Sequence, residues 1–311
     1  MKRLAVISLL TLSISLTGCS SLLNLLSGDS SNMKFEDKGE KVQRSTWLEN
    51  FEKASKNSNL NTNDTIKSYK ISTTTKLKNT QEENNNNGKY SAEVSGTGKA
   101  TYQYDADSYL YSYKSSSETK QTTTTPYGKG TEKGNNSEGK FYQMDYKTLY
   151  TIDTVAKTYT TTTGDQTAEQ AMNQRAAEGI NSTILLFALF AAFDTTEQYD
   201  YYQNEEVFTI NYVTKDDEKI LYSSTDSSKK VGSTVTNGEM TLQLNLTSGK
   251  NSFKYSIKSE VITKYTDDDL NKGYKAGDSI KETSLTTFNA DIKFQEQRMN
   301  AMSLSGYTKL D

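Results

Sequence analysis

The sequence predicts a mainly β, α+β fold: a large curved antiparallel sheet, or half-barrel, with an N-terminal helix and a mid-chain apolar helical insertion covering its concave face. The chain of 311 residues has one proline and 21 tyrosines, a composition that favours strands. Many segments alternate polar and apolar residues with period two. The turns between them are too short for crossover helices, which predicts antiparallel pairing.

The first residues have the features of a signal peptide. Lys2 and Arg3 precede an apolar stretch, residues 4–16, that is shorter than the ~20 residues a transmembrane helix needs. The residues immediately before the chain's one cysteine, Cys19, are Leu16, Thr17 and Gly18. This stretch resembles the lipobox of bacterial lipoproteins. An ordinary signal peptide with a chance cysteine is the alternative.

The lipobox resemblance implies that residues 1–18 are removed and that Cys19 becomes the N-terminus, with diacylglycerol on its sulfur and a further acyl group such as palmitate. Each buried CH₂ contributes ~0.8 kcal/mol, so two or three chains anchor a protein stably. The expected location is the bacterial cell envelope, on the outer face of the cell membrane or, in a diderm, at the outer membrane. No other cofactor is expected.

The rest of the chain divides into a tether and one domain. Residues 19–45 carry the lipid and a flexible Ser-, Gly- and Asn-rich tether, and residues 46–311 form a single half-barrel domain. A helix is expected from Thr46 to about Lys56, because Thr46 and Glu49 have capping-box spacing. Trp47, Phe51 and Ala54 share one face of this helix, and Trp47 is expected to lie in the core under a sheet edge.

Ten to twelve strands are expected after this helix. An Asn-rich turn is predicted over residues 81–88 and a break at Gly96 and Gly98. The polar residues 122–136 predict either a hairpin at the sheet edge or a mobile loop. Three strands are expected over residues 141–163, and a helical turn over residues 266–273.

Residues 167–193 form the predicted helical insertion. Its apolar run, residues 184–193, spans only ~15 Å as a helix, against a ~30 Å bilayer core, so it does not predict a transmembrane segment. A helix that is apolar on all sides has to be covered on all sides. The residues expected to line a cavity between helices and sheet are Ile184, Leu185, Leu186, Phe187, Leu189, Phe190, Phe193, Trp47 and Phe51.

This order of elements resembles the LolA/LolB and LppX/LprG types of bacterial lipoprotein. The resemblance rests on Cys19, the helix start at Thr46-Trp47, the tyrosine-rich strands of residues 141–163 and the insertion of residues 167–193. It covers most of the chain as a pattern of elements, without a diagnostic motif inside the domain. It implies an unclosed half-barrel that holds a lipid or acyl chain, with lipid or lipoprotein transfer as the role.

The composition argues against several other functions. The chain has no histidine, which excludes catalytic triads and dyads that use one. A net charge of −3 argues against nucleic-acid binding. Residues 267–269 are consecutive aspartates, which fit helix capping better than a calcium loop, so no metal is expected. We therefore expect a non-catalytic protein. The alternative is a surface interaction or adhesion lipoprotein with a fully packed core, and a glycan-active enzyme is a third class.

Overall fold

The computed structural model describes residues 33–57, 68–145, 147–164, 170, 199–223, 225–247, 251–269, 273–294 and 297–310. Over these residues it contains one sheet of thirteen strands and the helix α1 (Arg44–Asn57). The strands are β1 (Glu40–Val42), β2 (Ser68–Asn85), β3 (Gly88–Asp105), β4 (Leu110–Thr125), β5 (Gly128–Asp145), β6 (Thr148–Asp153), β7 (Thr158–Thr163), β8 (Tyr199–Asn204), β9 (Val207–Tyr222), β10 (Lys230–Asn245), β11 (Ser252–Tyr265), β12 (Ser279–Phe294) and β13 (Thr308–Lys309).

The spatial order of the strands is β1-β8-β9-β10-β11-β12-β2-β3-β4-β5-β6-β7-β13. Neighbouring strands are antiparallel, except that β13 runs parallel to β7. The sheet is unclosed, with β1 and β13 at its two ends. The predicted mainly β, antiparallel and unclosed architecture is confirmed. The predicted insertion of residues 167–193 lies outside the described residues, apart from Gln170, which is helical.

Several strands are longer than the sequence predicts. The Asn-rich segment 81–88 belongs mostly to β2, and the turn is only Asn86-Asn87. Gly96 and Gly98 do not break β3 either; they pair with Leu77 and Thr75 of β2. Glycine weakens a strand because it has no side chain to pack. It still has a backbone N–H and C=O, so the ladder of hydrogen bonds continues through it.

The polar residues 122–136 form the hairpin between β4 and β5, whose turn is Pro126-Tyr127. The alternative of a mobile loop is therefore wrong. β3 pairs with the β4 side of this hairpin, whereas β6 pairs only with residues 140–145 of β5, so the hairpin lies at a local edge of the described sheet. Proline occurs here at a turn, where its missing N–H does not interrupt the ladder.

Helix α1 confirms the predicted buried face but begins earlier than predicted. The Trp47 N–H donates to the Gln43 carbonyl oxygen (2.9 Å), so Gln43 occupies the N-cap position. Thr46 lies inside the first turn, and the predicted Thr46–Glu49 capping box is wrong. The spacing of Trp47, Phe51 and Ala54 correctly predicted which side of the helix is buried. Burial of these side chains against the sheet, rather than a capping box, determines where this helix packs.

The predicted helical turn over residues 266–273 is also wrong for the described residues. Asp269 and Tyr274 instead form an isolated antiparallel bridge with hydrogen bonds in both directions (2.9 and 3.3 Å). Tyr274 stacks on Tyr265 with ring centroids 4.5 Å apart. The ring contact and the bridge bring Tyr274 back beside Tyr265 and Asp269. The run of aspartates at residues 267–269 does not predict this pairing.

The register of the ladders separates two faces of the sheet. We call one the aromatic face; the residues that define it are Phe208, Leu242, Tyr255, Phe288, Tyr69, Tyr104 and Tyr111. We call the other the lysine face; the residues that define it are Lys258, Lys78, Lys120 and Lys133. Helix α1 packs on the aromatic face, where Trp47 contacts Phe208.

The N-terminal segment, residues 33–39, lies on the lysine face. The Glu36 N–H donates to Gln243 Oε1 (2.7 Å), and Gln243 Nε2 donates back to the Glu36 carbonyl oxygen (2.9 Å). Lys254 Nζ donates to the carbonyl oxygen of Lys34 (3.3 Å). The sheet domain therefore includes residues before Thr46, and part of the predicted tether is held against the sheet.

The C-terminal segment, residues 297–310, also packs on the lysine face. Its apolar side chains, Met299, Met302, Leu304 and Tyr307, contact the cluster formed by Leu110, Phe141 and Ile152. The buried carboxylate of Asp105 ties down its beginning: Oδ2 accepts from the Met299 N–H (2.9 Å) and from Ser108 Oγ (3.0 Å). Arg298 pairs with both Asp105 (3.4 Å) and Asp107 (2.6 Å).

We call the part of the sheet near the Asn86-Asn87 and Pro126-Tyr127 turns the distal half. Here the outer strands β8 and β6 have ended: β8 pairs with only residues 207–212 of β9, and β6 pairs with only residues 140–145 of β5. Among the strands that the structure describes, none pairs with the outer sides of residues 213–222 and 128–139, which form the two margins of the distal half. Residues 128–137 of β5 are all exposed to solvent.

The ion pair between Lys140 and Asp153 links β5 to β6 (Nζ–Oδ2 2.6 Å). The Lys140 side chain and the amides of Ala156 and Val155 hold the pKa of Asp153 below its ordinary value. A lowered native pKa stabilises the fold above the ordinary aspartate pKa, ~3.9, and this contribution is lost as the pH falls below it.

We expect Asp153→Asn to lower the free energy of unfolding by less than about 1 kcal/mol at neutral pH. The difference from the wild type should shrink as the pH is lowered through 4 towards 3. Urea titrations at several pH values measure it. A difference that stays constant across this range would contradict the assignment.

Candidate functional site on the aromatic face

One end of the aromatic face is closed by helix α1. The Trp47 ring stacks on Phe51 (5.3 Å between centroids) and meets Phe208 and Tyr201 edge-on (5.5 and 5.6 Å). The indole Nε1 donates to the carbonyl oxygen of Tyr202 (3.1 Å). Trp47 is therefore a core residue beneath β8, next to the end strand β1, and its one polar side-chain atom is hydrogen-bonded to the backbone.

Next to this cluster, Tyr255 is a fully buried tyrosine in the middle of the sheet. Its ring stacks on Phe288 (5.2 Å, 13° between planes) and lies 6.0 Å from Phe253. Among the described residues its hydroxyl oxygen has no hydrogen-bond partner. Burial raises the pKa of Tyr255 well above its ordinary value. The group is a neutral donor at physiological pH, in surroundings where an unmatched hydroxyl is costly.

Further along the same face, tyrosines of four strands form a row across the sheet. Cross-strand pairing aligns Tyr69 with Tyr104, Tyr104 with Tyr111, and Tyr111 with Tyr142. Ring centroids are 5.6 Å apart for Tyr69 and Tyr104, and 5.7 Å apart for Tyr111 and Tyr142. The first three rings are buried. Ile71 and Ile292 belong to the same cluster.

The side chains of this face are suited to apolar contact. Aromatic rings and branched side chains bury large areas, and the Tyr255 hydroxyl adds one polar group among them. Within the described ranges, no group of three or more Cys, Asp or Glu side chains is placed to hold a metal ion.

The structure describes two of the residues predicted to line a cavity, Trp47 and Phe51, and places them in contact. Cys19 with its lipobox and the apolar run 184–193 lie outside the described residues, and their roles stay predictions. No local signal in the sequence singles out Tyr255 or the row beginning at Tyr69. The period-two alternation assigns each of them to a face, but only the register between strands shows that they are neighbours.

Comparisons with known proteins identify no family for this chain. No family model matches it, and no curated protein does. A solved structure of an outer membrane channel from Pseudomonas putida F1 is similar over 75% of this chain and 99% of that chain, with 7% sequence identity and a TM-score of 0.19. Among the described residues, no helix has the length and apolar character needed to cross a bilayer.

Proposed function

We propose that this protein is a lipid-anchored, non-catalytic protein of the bacterial cell envelope that binds an apolar ligand, a lipid or acyl chain, on the aromatic face. Lipid or lipoprotein transfer is the role that such binding serves. The observation that carries the proposal is that two clusters of aromatic and aliphatic side chains, one including Phe208 and the other including Tyr142, lie on the same side of an unclosed sheet. Helix α1 packs at only one end of that surface, against β8 and β9.

The topology supports a cover for this surface. β7 and β8 are consecutive along the chain but lie near opposite ends of the sheet, ten strand spacings apart or about 48 Å along it. The chain between them is residues 164–198, which include the apolar run 184–193. The terminal segments occupy parts of the lysine face, and the apolar run 184–193 suits the aromatic face. Its ~15 Å length as a helix matches about three strand spacings, the width of the tyrosine row.

In this arrangement the apolar run and the aromatic face enclose the ligand, and residues such as Leu185, Leu189 and Phe193 line the cavity opposite the sheet. The Tyr255 hydroxyl donates a hydrogen bond to a carbonyl or ester oxygen of the ligand. This role gives a deeply buried donor a partner, which most buried polar groups in proteins have.

The ligand is tested by native mass spectrometry and by extraction with organic solvent, which removes bound lipid but not chains attached to Cys19. We expect a co-purifying lipid from the wild-type protein. Tyr255→Phe is expected to weaken binding of the recovered lipid about fivefold, the effect of one neutral hydrogen bond of ~1 kcal/mol, without lowering stability. Tyr265→Phe, a buried tyrosine of the same strand in the distal half, is the matched control. Repeated absence of lipid overturns the proposal.

The anchor is tested separately. Cys19→Ser should abolish labelling by a fatty-acid analogue and move the protein from the membrane fraction to the soluble fraction, because only the thiol forms the thioether to lipid. Ser20→Ala is the control, and it should remain labelled and membrane-bound. Membrane retention of the Cys19→Ser protein would show that the anchor is assigned to the wrong residue.

A surface interaction or adhesion protein is the second candidate. The observation that favours it is the distal half, where long Thr-, Ser- and Lys-rich strands are exposed. In that case residues 184–193 pack directly on the aromatic face and leave no room for a ligand. Wild-type protein free of lipid, together with a more stable Tyr255→Phe variant, is the result that favours this candidate.

A further inference from the structure

Charge is segregated between the two faces of the six central strands, β11, β12 and β2–β5. The lysines on the lysine face are Lys70, Lys76, Lys78, Lys89, Lys99, Lys114, Lys120, Lys129, Lys133, Lys254, Lys258, Lys264, Lys281 and Lys293. The acidic residues on that face are Glu82, Glu93, Asp105, Glu118, Asp145, Glu260 and Asp291. Lysines therefore outnumber acids on this face of a chain whose net charge is −3.

The aromatic face of the same strands has the opposite balance. Its one lysine, Lys140, is paired with Asp153. Its acidic residues are Glu83, Glu132, Glu138 and Glu282. The net charge of the chain therefore conceals a basic surface and an acidic one, which lie on opposite sides of the same strands.

The basic surface extends over the six central strands. Cross-strand pairing places Lys258, Lys78, Lys120 and Lys133 in one row over β11, β12 and β2–β5. Lys120, Lys133 and Lys258 are exposed. Some of the positive charge is neutralised locally, since Lys78 pairs with Glu93 (3.5 Å) and Lys281 with Glu260 (2.7 Å).

The chain also enters the domain on this side. Residues 33–39 lie on the lysine face, and Lys38 Nζ sits 3.9 Å from the centre of the Tyr202 ring. Cys19 is fourteen residues before residue 33, so extended chain spans at most about 50 Å between them. An acyl anchor at Cys19 therefore keeps the lysine face within reach of the membrane, and its attachment point is on that face.

We propose that the lysine face docks on the anionic headgroups of the membrane to which the protein is anchored, leaving the aromatic face directed away from the bilayer. This inference rests on the lipid anchor proposed above. Because the anchor already holds the protein at the membrane, a weak electrostatic contact does not have to offset the loss of translational entropy on binding. The contact then orients the domain, because lysines near an anionic surface are attracted within a Debye length of it.

The test is lysine-reactive footprinting of the full-length lipidated protein reconstituted in phosphatidylcholine vesicles, with and without phosphatidylglycerol. We expect Lys120, Lys133 and Lys258 to react about fivefold more slowly on the anionic vesicles, the ratio that ~1 kcal/mol per lysine gives. Lys53, Lys147 and Lys219, which are exposed and lie off the lysine face, serve as internal controls and should react equally on both. Salt at about 1 M, where the Debye length is ~3 Å, should remove the protection.

A triple variant, Lys120→Gln, Lys133→Gln and Lys258→Gln, provides the second measurement. Protection of the remaining Lys99 and Lys264 should fall towards the level on neutral vesicles, whereas Lys53→Gln, Lys147→Gln and Lys219→Gln together should leave it unchanged. All six side chains are exposed, so both variants should fold as the wild type does.

The outcomes separate this inference from the anchor. Protein that fails to associate with either vesicle shows that the anchor is wrong. Anchored protein whose lysines react equally on both vesicles overturns the docking. If heparin in solution protects the same lysines and anionic vesicles do not, the lysine face binds a soluble polyanion, and membrane docking is likewise overturned.

Discussion

Phe208→Ala is expected to lower the free energy of unfolding by about 3–5 kcal/mol, the cost of deleting a buried aromatic ring and leaving a cavity. Phe208 is 1% exposed and touches both Trp47 and Phe51, so it joins helix α1 to β9 near one end of the sheet. The same ring belongs to the cluster that includes Leu244 and Phe253. Loss of the Phe208 ring therefore weakens both the contact between α1 and the sheet and the packing between β9 and β10.

The measurement is urea unfolding followed by the fluorescence of Trp47, the one tryptophan of the chain. Tyr222→Ala, at the exposed end of the same strand (47% exposed), is the matched control and should cost less than about 0.5 kcal/mol. If both substitutions have the same small effect, α1 does not dock on the sheet through Phe208.

The second large effect is expected at Asp105. Asp105→Ala removes the carboxylate that accepts from the Met299 amide and from Ser108, and that pairs with Arg298. Hydrogen bonds to a charged group contribute about 1.5–3 kcal/mol each, but Arg298 is largely exposed and regains water. We expect a loss of about 2–4 kcal/mol in the stability of the C-terminal segment.

Hydrogen exchange at the amides of Met299 and Met302 reports this loss directly. The Met302 N–H donates to Gln143 Oε1 (2.8 Å), so its protection measures how well the segment stays on the sheet. Asp107→Ala removes only the exposed partner of Arg298 and should change the protection by less than about 1 kcal/mol. Equal exchange in the two variants would mean that the buried carboxylate does not hold the segment.

The sequence predicts those parts of the structure that depend on local periodicity. The alternation around Tyr69, Tyr111 and Tyr255 identifies strands and assigns side chains to faces. The spacing of Trp47, Phe51 and Ala54 identifies the buried side of α1. The short turns predict antiparallel neighbours, and the hairpin of residues 141–153 follows from them.

Features that depend on distant contacts could not be predicted in the same way. Gly96 and Gly98 suggest a break because glycine weakens isolated strands, but pairing on both sides of β3 holds them in the ladder. The row of lysines across the lysine face is invisible in the sequence, because its members are separated by whole strands and only the register aligns them. For the same reason, the net charge of −3 does not reveal that lysines predominate on one face of the central strands.

The margins of the distal half affect whether this protein aggregates at high concentration. A free strand margin exposes unpaired amides and carbonyls to which another copy can add, which is the usual route to fibrils. One margin, on β9, carries the charged run Lys215 to Lys219, and the other, on β5, is interrupted by Gly130, Gly134 and Gly139 and by the charges between them. The charged side chains on a margin repel the same charges on a second copy of the protein. The glycines of β5 lose more backbone entropy when they are ordered, so pairing of this margin with another strand is less favourable. A threonine-rich sheet with such margins can reach high local concentration without polymerising.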